Sequence, residues 1–138
     1  MKQVVAGLMS RMDESGHRQF LLVNAKKDFG KYTGCWYPPG GHVEEGEDEK
    51  EALIREIKEE LNLQIEPVKK LAESPGDVPN QITHWWACNL ISQEMIIDDD
   101  EIGGAGWFTE AELKGMPLWP ATKAFFEKHI FSSKDNSK

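Results

Sequence analysis

One stretch constrains this chain more than any other: Glu49 to Leu61 reads as a single α-helix with both ends marked. Asp48 and Glu51 have the spacing of a capping box at its start. Asn62, just past the last apolar position, suits the left-handed residue that commonly ends a helix. Residues advance by about 100° each around a helix. With Glu56 at zero, Glu59 falls near about −60° and Glu60 near about +40°, so three carboxylates project from one sector. Leu53, Ile57, Leu61 and Ile54 fall between about 60° and about 160° on the same wheel, which places the acids at the border of the buried stripe. Carboxylates crowded beside a core suit divalent cations, which take oxygen ligands. Glu-rich helices also serve as plain solvated faces, and Glu44, Glu45, Glu47, Glu49 and Glu51 include such residues. The helix alone leaves both readings open.

The rest of the chain alternates strand-like and polar segments. Gln3 to Met12 opens it, a turn follows at Asp13-Glu14-Ser15-Gly16, and Phe20 to Val23 reads as the return strand of a hairpin. Lys26 to Gly34 is a polar loop. Cys35-Trp36-Tyr37 is a short strand stopped by Pro38-Pro39-Gly40-Gly41, which neither a helix interior nor a central strand accepts. After the helix, Leu63 to Leu71 has strand character and Ser74-Pro75-Gly76-Asp77 is a turn. Gln81 to Ile91 carries apolar bulk on both faces and belongs in the middle of a sheet. Asp98-Asp99-Asp100-Glu101 is an acidic loop, Ala105 to Phe108 a short strand and Glu110 to Lys114 a short helix. Pro120 takes the first position of a final helix ending near Phe131. Residues 1–131 are expected to form one α/β sandwich domain, and Ser132 to Lys138 a disordered polar tail.

At 138 residues the chain is long enough to bury a core without disulfides or metal staples. Its 16 Lys and Arg against 24 Asp and Glu give a net charge of −8, which argues against binding a nucleic-acid polymer through its phosphates. Small phosphorylated ligands remain open, because metal ions bridge acidic side chains to phosphate. Cys35 and Cys88 are too few and too far apart for a disulfide framework or a zinc site, and His17, His42, His84 and His129 form no ligand cluster. The opening apolar run is too short for a signal sequence, and no stretch approaches the roughly 18 apolar residues of a membrane span. A cytoplasmic setting with no membrane partner is the expectation.

Spacing within the acidic segment is more specific than its charge. Gly41, five residues, Glu47, seven residues, then Arg55-Glu56-Ile57-Lys58-Glu59-Glu60-Leu61-Asn62-Leu63 resembles the Nudix box, Gly-x5-Glu-x7-Arg-Glu-U-x-Glu-Glu-x-Gly-U, with U a bulky aliphatic residue. Six fixed residue types match, a coincidence of order 10⁻⁷ per starting position. Ile57 and Leu63 match as well, and Trp36-Tyr37-Pro38-Pro39-Gly40-Gly41 resembles the family's approach to the box. One position departs: Asn62 stands where the family has glycine, and asparagine tolerates the left-handed region better than other side chains.

The resemblance implies an α/β/α sandwich around a mixed β-sheet. It also implies hydrolysis of a nucleoside diphosphate linked to another group, with Mg²⁺ or Mn²⁺ as cofactor. Carried over by position, Glu56, Glu59, Glu60 and the Gly40 carbonyl hold metal, Arg55 orients Glu56, and Glu47 braces the loop that begins at Gly41. Glu101, six residues before Trp107, is placed by family spacing to complete the metal site or act as base, with Asp98, Asp99 and Asp100 as substitutes. The water-activating base is then Glu56 or Glu101. Small size resembles the MutT-like triphosphate pyrophosphatases, which release a monophosphate and pyrophosphate. Pro79, sixteen residues after Leu63, has a spacing associated with ADP-ribose-cleaving members, and such a sugar-nucleotide pyrophosphatase is the alternative. The absence of tyrosine after Tyr37 weighs against a dinucleoside polyphosphate substrate. Trp36, Trp85 and Trp119 are candidates for stacking on a base. A non-catalytic binding module of the same fold is the rival class, although such modules usually lose the box acids that this chain keeps. The expected partner is a small nucleotide, bound by a monomer or homodimer.

Overall fold

The opening apolar run divides in two at Met9. In the computed structural model, which describes residues 1–25, 34–92, 94–98 and 102–131, β1 (Lys2–Leu8) and β2 (Ser10–Met12) join different sheets. β1 lies antiparallel to β5 (Gly40–His42) and parallel to β7 (Gln81–Leu90), which pairs antiparallel with β6 (Ile65–Pro75). The result is a mixed sheet in the order β5-β1-β7-β6. β2 pairs with β3 (Arg18–Ala25), which also pairs with β4 (Trp36–Tyr37) and β8 (Ile102–Thr109), all antiparallel. The hairpin expected from the sequence is therefore confined to β2 and β3. Met9, fully buried, sits at the crossing, and the apolar run continues through it without a local mark of the change.

Strand alternation feeds two cores. Val5, Leu21 and Val23 face the first, which Leu53, Ile57 and Leu61 of α1 (Glu49–Leu61) complete. Ala6, Leu8, Phe20 and Leu22 face the second, closed by Trp85, by Leu113 of α2 (Glu110–Lys114) and by Phe125 and Phe126 of α3 (Pro120–Phe126). Helices thus cover both sides of the strands, an α/β/α sandwich around a mixed sheet. Full burial of each α1 leucine or isoleucine contributes roughly 1.5–3 kcal/mol. Like-charge pairs on the same helix cost only a few tenths, on the order of 0.2–0.5 kcal/mol each. The apolar stripe therefore sets how α1 lies, and the acids ride with it.

Both ends of α1 fall where their local chemistry places them. Asp48 accepts the Glu51 N–H at 2.8 Å while Glu51 accepts that of Asp48 at 3.0 Å. Asn62 is left-handed, with φ 56° and ψ 31°, and donates its N–H to the Lys58 carbonyl. Ile54, placed by the helical wheel with the buried stripe, is 44% exposed, whereas Leu53 and Ile57 of the same stripe are fully buried. β6 runs on to Pro75, so the following turn moves to residues 76–80. An edge strand with bulges near Pro67 and Lys70 accommodates its prolines. β7 is central, between β1 and β6. α3 ends at Phe126 and passes into a π-helical turn through Phe131. Among the described residues no helix is long and apolar enough to cross a membrane. Most of the polar loop (26–33), Asp99, Asp100, Glu101 and the tail (132–138) lie outside the described residues.

Candidate active site

Two glycines bring the edge of the mixed sheet against α1. A Cβ built on Gly41 would overlap the Glu56 carboxylate, and one on Gly40 would overlap the Val5 carbonyl. Only residues without side chains permit this approach. Along β5 the backbone groups alternate: Pro39 O and Val43 N bond to β1, while the His42 carbonyl turns the other way to accept Arg55 Nη2 at 3.1 Å. The same alternation directs the Gly40 carbonyl away from β1, on the side of the His42 carbonyl.

Arg55 is the hub of this contact. Its Nε and Nη2 reach Oε2 and Oε1 of Glu47 at 2.6 and 2.9 Å, and its Nη1 reaches Glu56 at 2.9 Å and Glu59 at 3.4 Å. Glu47 also accepts the Glu44 N–H at 2.9 Å, which closes the loop ahead of the helix. The Arg55 hydrogen bonds and this backbone donor hold the Glu47 carboxyl down to about 2 from an ordinary 4.5. The hydrogen bond to Glu47, followed by that to Glu56, raises the guanidinium in turn.

The three helix acids sit at different depths. The Glu59 side chain is 57% exposed and that of Glu56 18%, while Glu60 is buried at 8%. Among the described residues no three His, Cys, Asp or Glu side chains converge into a metal-binding group. Arg55 draws Glu56 and Glu59 toward itself. The donor set nevertheless fits a divalent cation: hard carboxylate oxygens on α1, the Gly40 carbonyl turned away from β1, and the Glu56 carboxylate seated against the bare backbone of Gly41. Asp98 donates its N–H to the Glu60 carbonyl at 2.8 Å, so the acidic loop's start packs at the end of α1. Glu101 itself lies outside the described residues.

On the far side of β5 a cavity of about 370 Å³ opens beside Gly40, Gly41 and His42. The chain of Pro117–Trp119 pairs with Trp36, and this sets Trp119 at the cavity wall, edge-on to Tyr37 with centroids 5.8 Å apart. The other two tryptophans stand differently: Trp85 also lines the cavity, whereas Trp36 does not. Trp85 is 2% exposed, its ring lies flat on Phe125 at 4.3 Å, and its indole N–H goes to Ser74. Trp36 packs edge-on to Phe108 in the second core and does not line the cavity.

Two residues that the sequence did not single out matter here. Glu49, read as solvating, anchors the start of α1: it accepts from Trp86 Nε1 at 2.8 Å and Lys70 Nζ at 3.1 Å. Asp77, read as a turn residue, lines the cavity and accepts the Ala121 N–H at 2.8 Å. The signal for Asp77 was negative, since Trp119 at the cap position of α3 offers no side-chain oxygen.

Comparison with known proteins agrees with this arrangement. The NUDIX domain family matches residues 1–130. The NAD-capped RNA hydrolase NudC of Haemophilus influenzae (strain PittEE) is 30% identical over 115 residues, 83% of this chain and 42% of that protein. The chain thus spans less than half the length of this relative. A MutT NUDIX hydrolase from Burkholderia pseudomallei superposes with a TM-score of 0.74 at 24% identity, over 94% of this chain and all of that one. A C. elegans Ap4A hydrolase in a binary complex has a TM-score of 0.74 at 22% identity, with 100% of both chains covered. At such identities the two structures share the fold with this chain.

Proposed function

The chain belongs to the NUDIX family of hydrolases, and on that premise we propose that it cleaves a nucleoside triphosphate into monophosphate and pyrophosphate with a divalent cation bound. One observation carries the reading: the Glu56 carboxylate is held by Arg55 and lies over the side-chain-free surface of Gly41, the residue that also lines the cavity across β5. Glu56, Glu59, Glu60 and the Gly40 carbonyl are the groups that would hold Mg²⁺ or Mn²⁺, with Glu101 assigned by its place in the sequence alone. When bound, the ion supplies charge neutralisation at the phosphates and acidification of water.

The protein's own part is positioning and proton transfer. Arg55 fixes the Glu56 carboxylate, which takes the proton of the attacking water unless Glu101 does. Attack falls on an internal phosphorus, in line with the departing group, and separates monophosphate from pyrophosphate. The cavity takes the nucleoside, with Trp119 as the stacking surface. A small nucleotide is favoured over a polymer by the net charge of −8. NudC's name includes a capped RNA, so that relative lends the exclusion of polymers no support. The second reading is a sugar-nucleotide such as ADP-ribose, since the turn that contains Pro79 supplies Asp77 and Val78 to the cavity wall.

A panel of nucleoside triphosphates and ADP-ribose, incubated with Mg²⁺ and with chelator, tests the proposal. Metal-dependent turnover of triphosphates supports it. Silence on all triphosphates with cleavage of ADP-ribose replaces it by the second reading.

A further inference from the structure

The nucleoside cavity has an apolar wall at Val4, Ala6 and Trp119 and a polar corner at the turn between β6 and β7. Asp77 and Gln81 form that corner, and two backbone bonds fix what they can offer a ligand. Asp77 accepts the Ala121 N–H through Oδ1 at 2.8 Å, and its own N–H goes to Gln81 Oε1 at 3.2 Å. A carboxylate has about four acceptor positions, so both Asp77 oxygens still accept. Gln81 has committed its oxygen, which leaves its amide N–H groups as donors. The corner therefore offers a donor next to a pair of acceptors.

Among the common bases guanine carries the complementary row on one edge: an O6 acceptor, then the N1–H and N2–H donors. Adenine places a bare ring nitrogen where a carboxylate lone pair would face it. Hypoxanthine has O6 and N1–H but lacks the amine. We infer that Asp77 is a specificity-determining residue that accepts the N1–H and N2–H of a guanine nucleotide, with Gln81 donating to O6. The inference rests on the cavity being the nucleoside pocket, as proposed above. Hydrogen bonds to a charged acceptor are roughly twice as strong as neutral ones, so the loss of one is worth about tenfold in affinity. Asp77 is partly buried, and that burial pushes its carboxyl above the ordinary aspartate value. A base without donors would leave it buried and short of partners.

Titration calorimetry of the full chain with GMP, IMP, AMP and XMP, in chelator, reads base recognition apart from catalysis. GMP is expected to bind about tenfold more tightly than IMP, and AMP more weakly again. Asp77→Asn keeps an oxygen for the Ala121 N–H and puts an amide N–H₂ in place of Oδ2. That exchange repels the guanine amine and suits the C2 carbonyl of xanthine, so the variant should prefer XMP to GMP. GMP binding no tighter than IMP or AMP, or not detectable, overturns the inference, as does an Asp77→Asn protein whose preference does not move from GMP toward XMP. Because no bond is broken in this experiment, a failure of triphosphate hydrolysis leaves the base preference standing. An enzyme that cleaves triphosphates but shows no base preference overturns only the guanine assignment.

Discussion

Arg55 grips both carboxylate oxygens of Glu47, and the same guanidinium holds Glu56 at 2.9 Å. The loop ahead of the helix and the acid on the helix are thereby locked to one planar cation. A lysine at this position is a point charge and cannot span Glu47, Glu56 and the His42 carbonyl together. Arg55→Lys should stay folded and lose about 10–100-fold in turnover or metal affinity, the usual cost of losing an outer partner of a metal ligand. The check is turnover measured across a Mg²⁺ titration. Wild-type behaviour at limiting Mg²⁺ would remove Arg55 from its positioning role.

The same contact gives stability a pH signature. Arg55 and the Glu44 N–H depress the folded Glu47 pKa from 4.5 to about 2. A depressed carboxyl contributes stability that is fully present above the unfolded value and disappears as pH falls through the folded one. The gap in Tm between wild type and Glu47→Gln should therefore be constant above about pH 4.5 and close as pH approaches about 2. Thermal melts from pH 7 downward read it directly, and a gap that persists to the acid end contradicts the assignment.

Gly40 and Gly41 should fail differently when given a methyl group. The Cβ of Gly40→Ala meets the Val5 backbone carbonyl, which cannot move cheaply, so a stability loss on the order of 1–3 kcal/mol is expected. The Cβ of Gly41→Ala meets the far end of the Glu56 side chain, which can swing aside. That variant should melt near wild type yet lose most of its activity. Denaturant unfolding and initial rates measured side by side separate the two outcomes.

Glu59 and Asn62 separate chemistry from backbone geometry. Glu59→Gln replaces a hard anionic donor by an amide and should cut turnover at saturating substrate without loss of fold. Asn62→Gly should leave activity nearly unchanged, since glycine adopts the φ of 56° without penalty while its unfolded chain gains freedom. A large activity loss in Asn62→Gly with the fold intact would give Asn62 a direct part in the site.

How much of this was legible in the sequence follows from the range of the interactions involved. α1 was legible to the residue because its signals are local: Asp48 and Glu51 cap one end and Asn62 turns the other. The break of the first strand at Met9 was not, because the change of sheet is decided by which strands pair with each half. Ile54 lies within the same apolar arc of the wheel as Leu53 and Ile57, yet they are buried and it is exposed. In the site, the pairing of Arg55 with Glu56 is what the family resemblance implies, whereas the grip of Arg55 on Glu47 depends on how the loop folds back on the helix. Asp77 depends on an Ala121 N–H forty-four positions away, which no local pattern contains. The tryptophans were equivalent as residue types, and only packing puts Trp85 and Trp119 at the cavity wall, with Trp85 almost wholly buried, and leaves Trp36 away from it.

The most direct test of the central claim is product analysis of a nucleoside triphosphate reaction run with Mg²⁺ in isotopically labelled water. The account predicts monophosphate and pyrophosphate as the primary products, with the label incorporated at the internal phosphorus that water attacked. Nucleoside diphosphate and labelled orthophosphate as the primary products would contradict it.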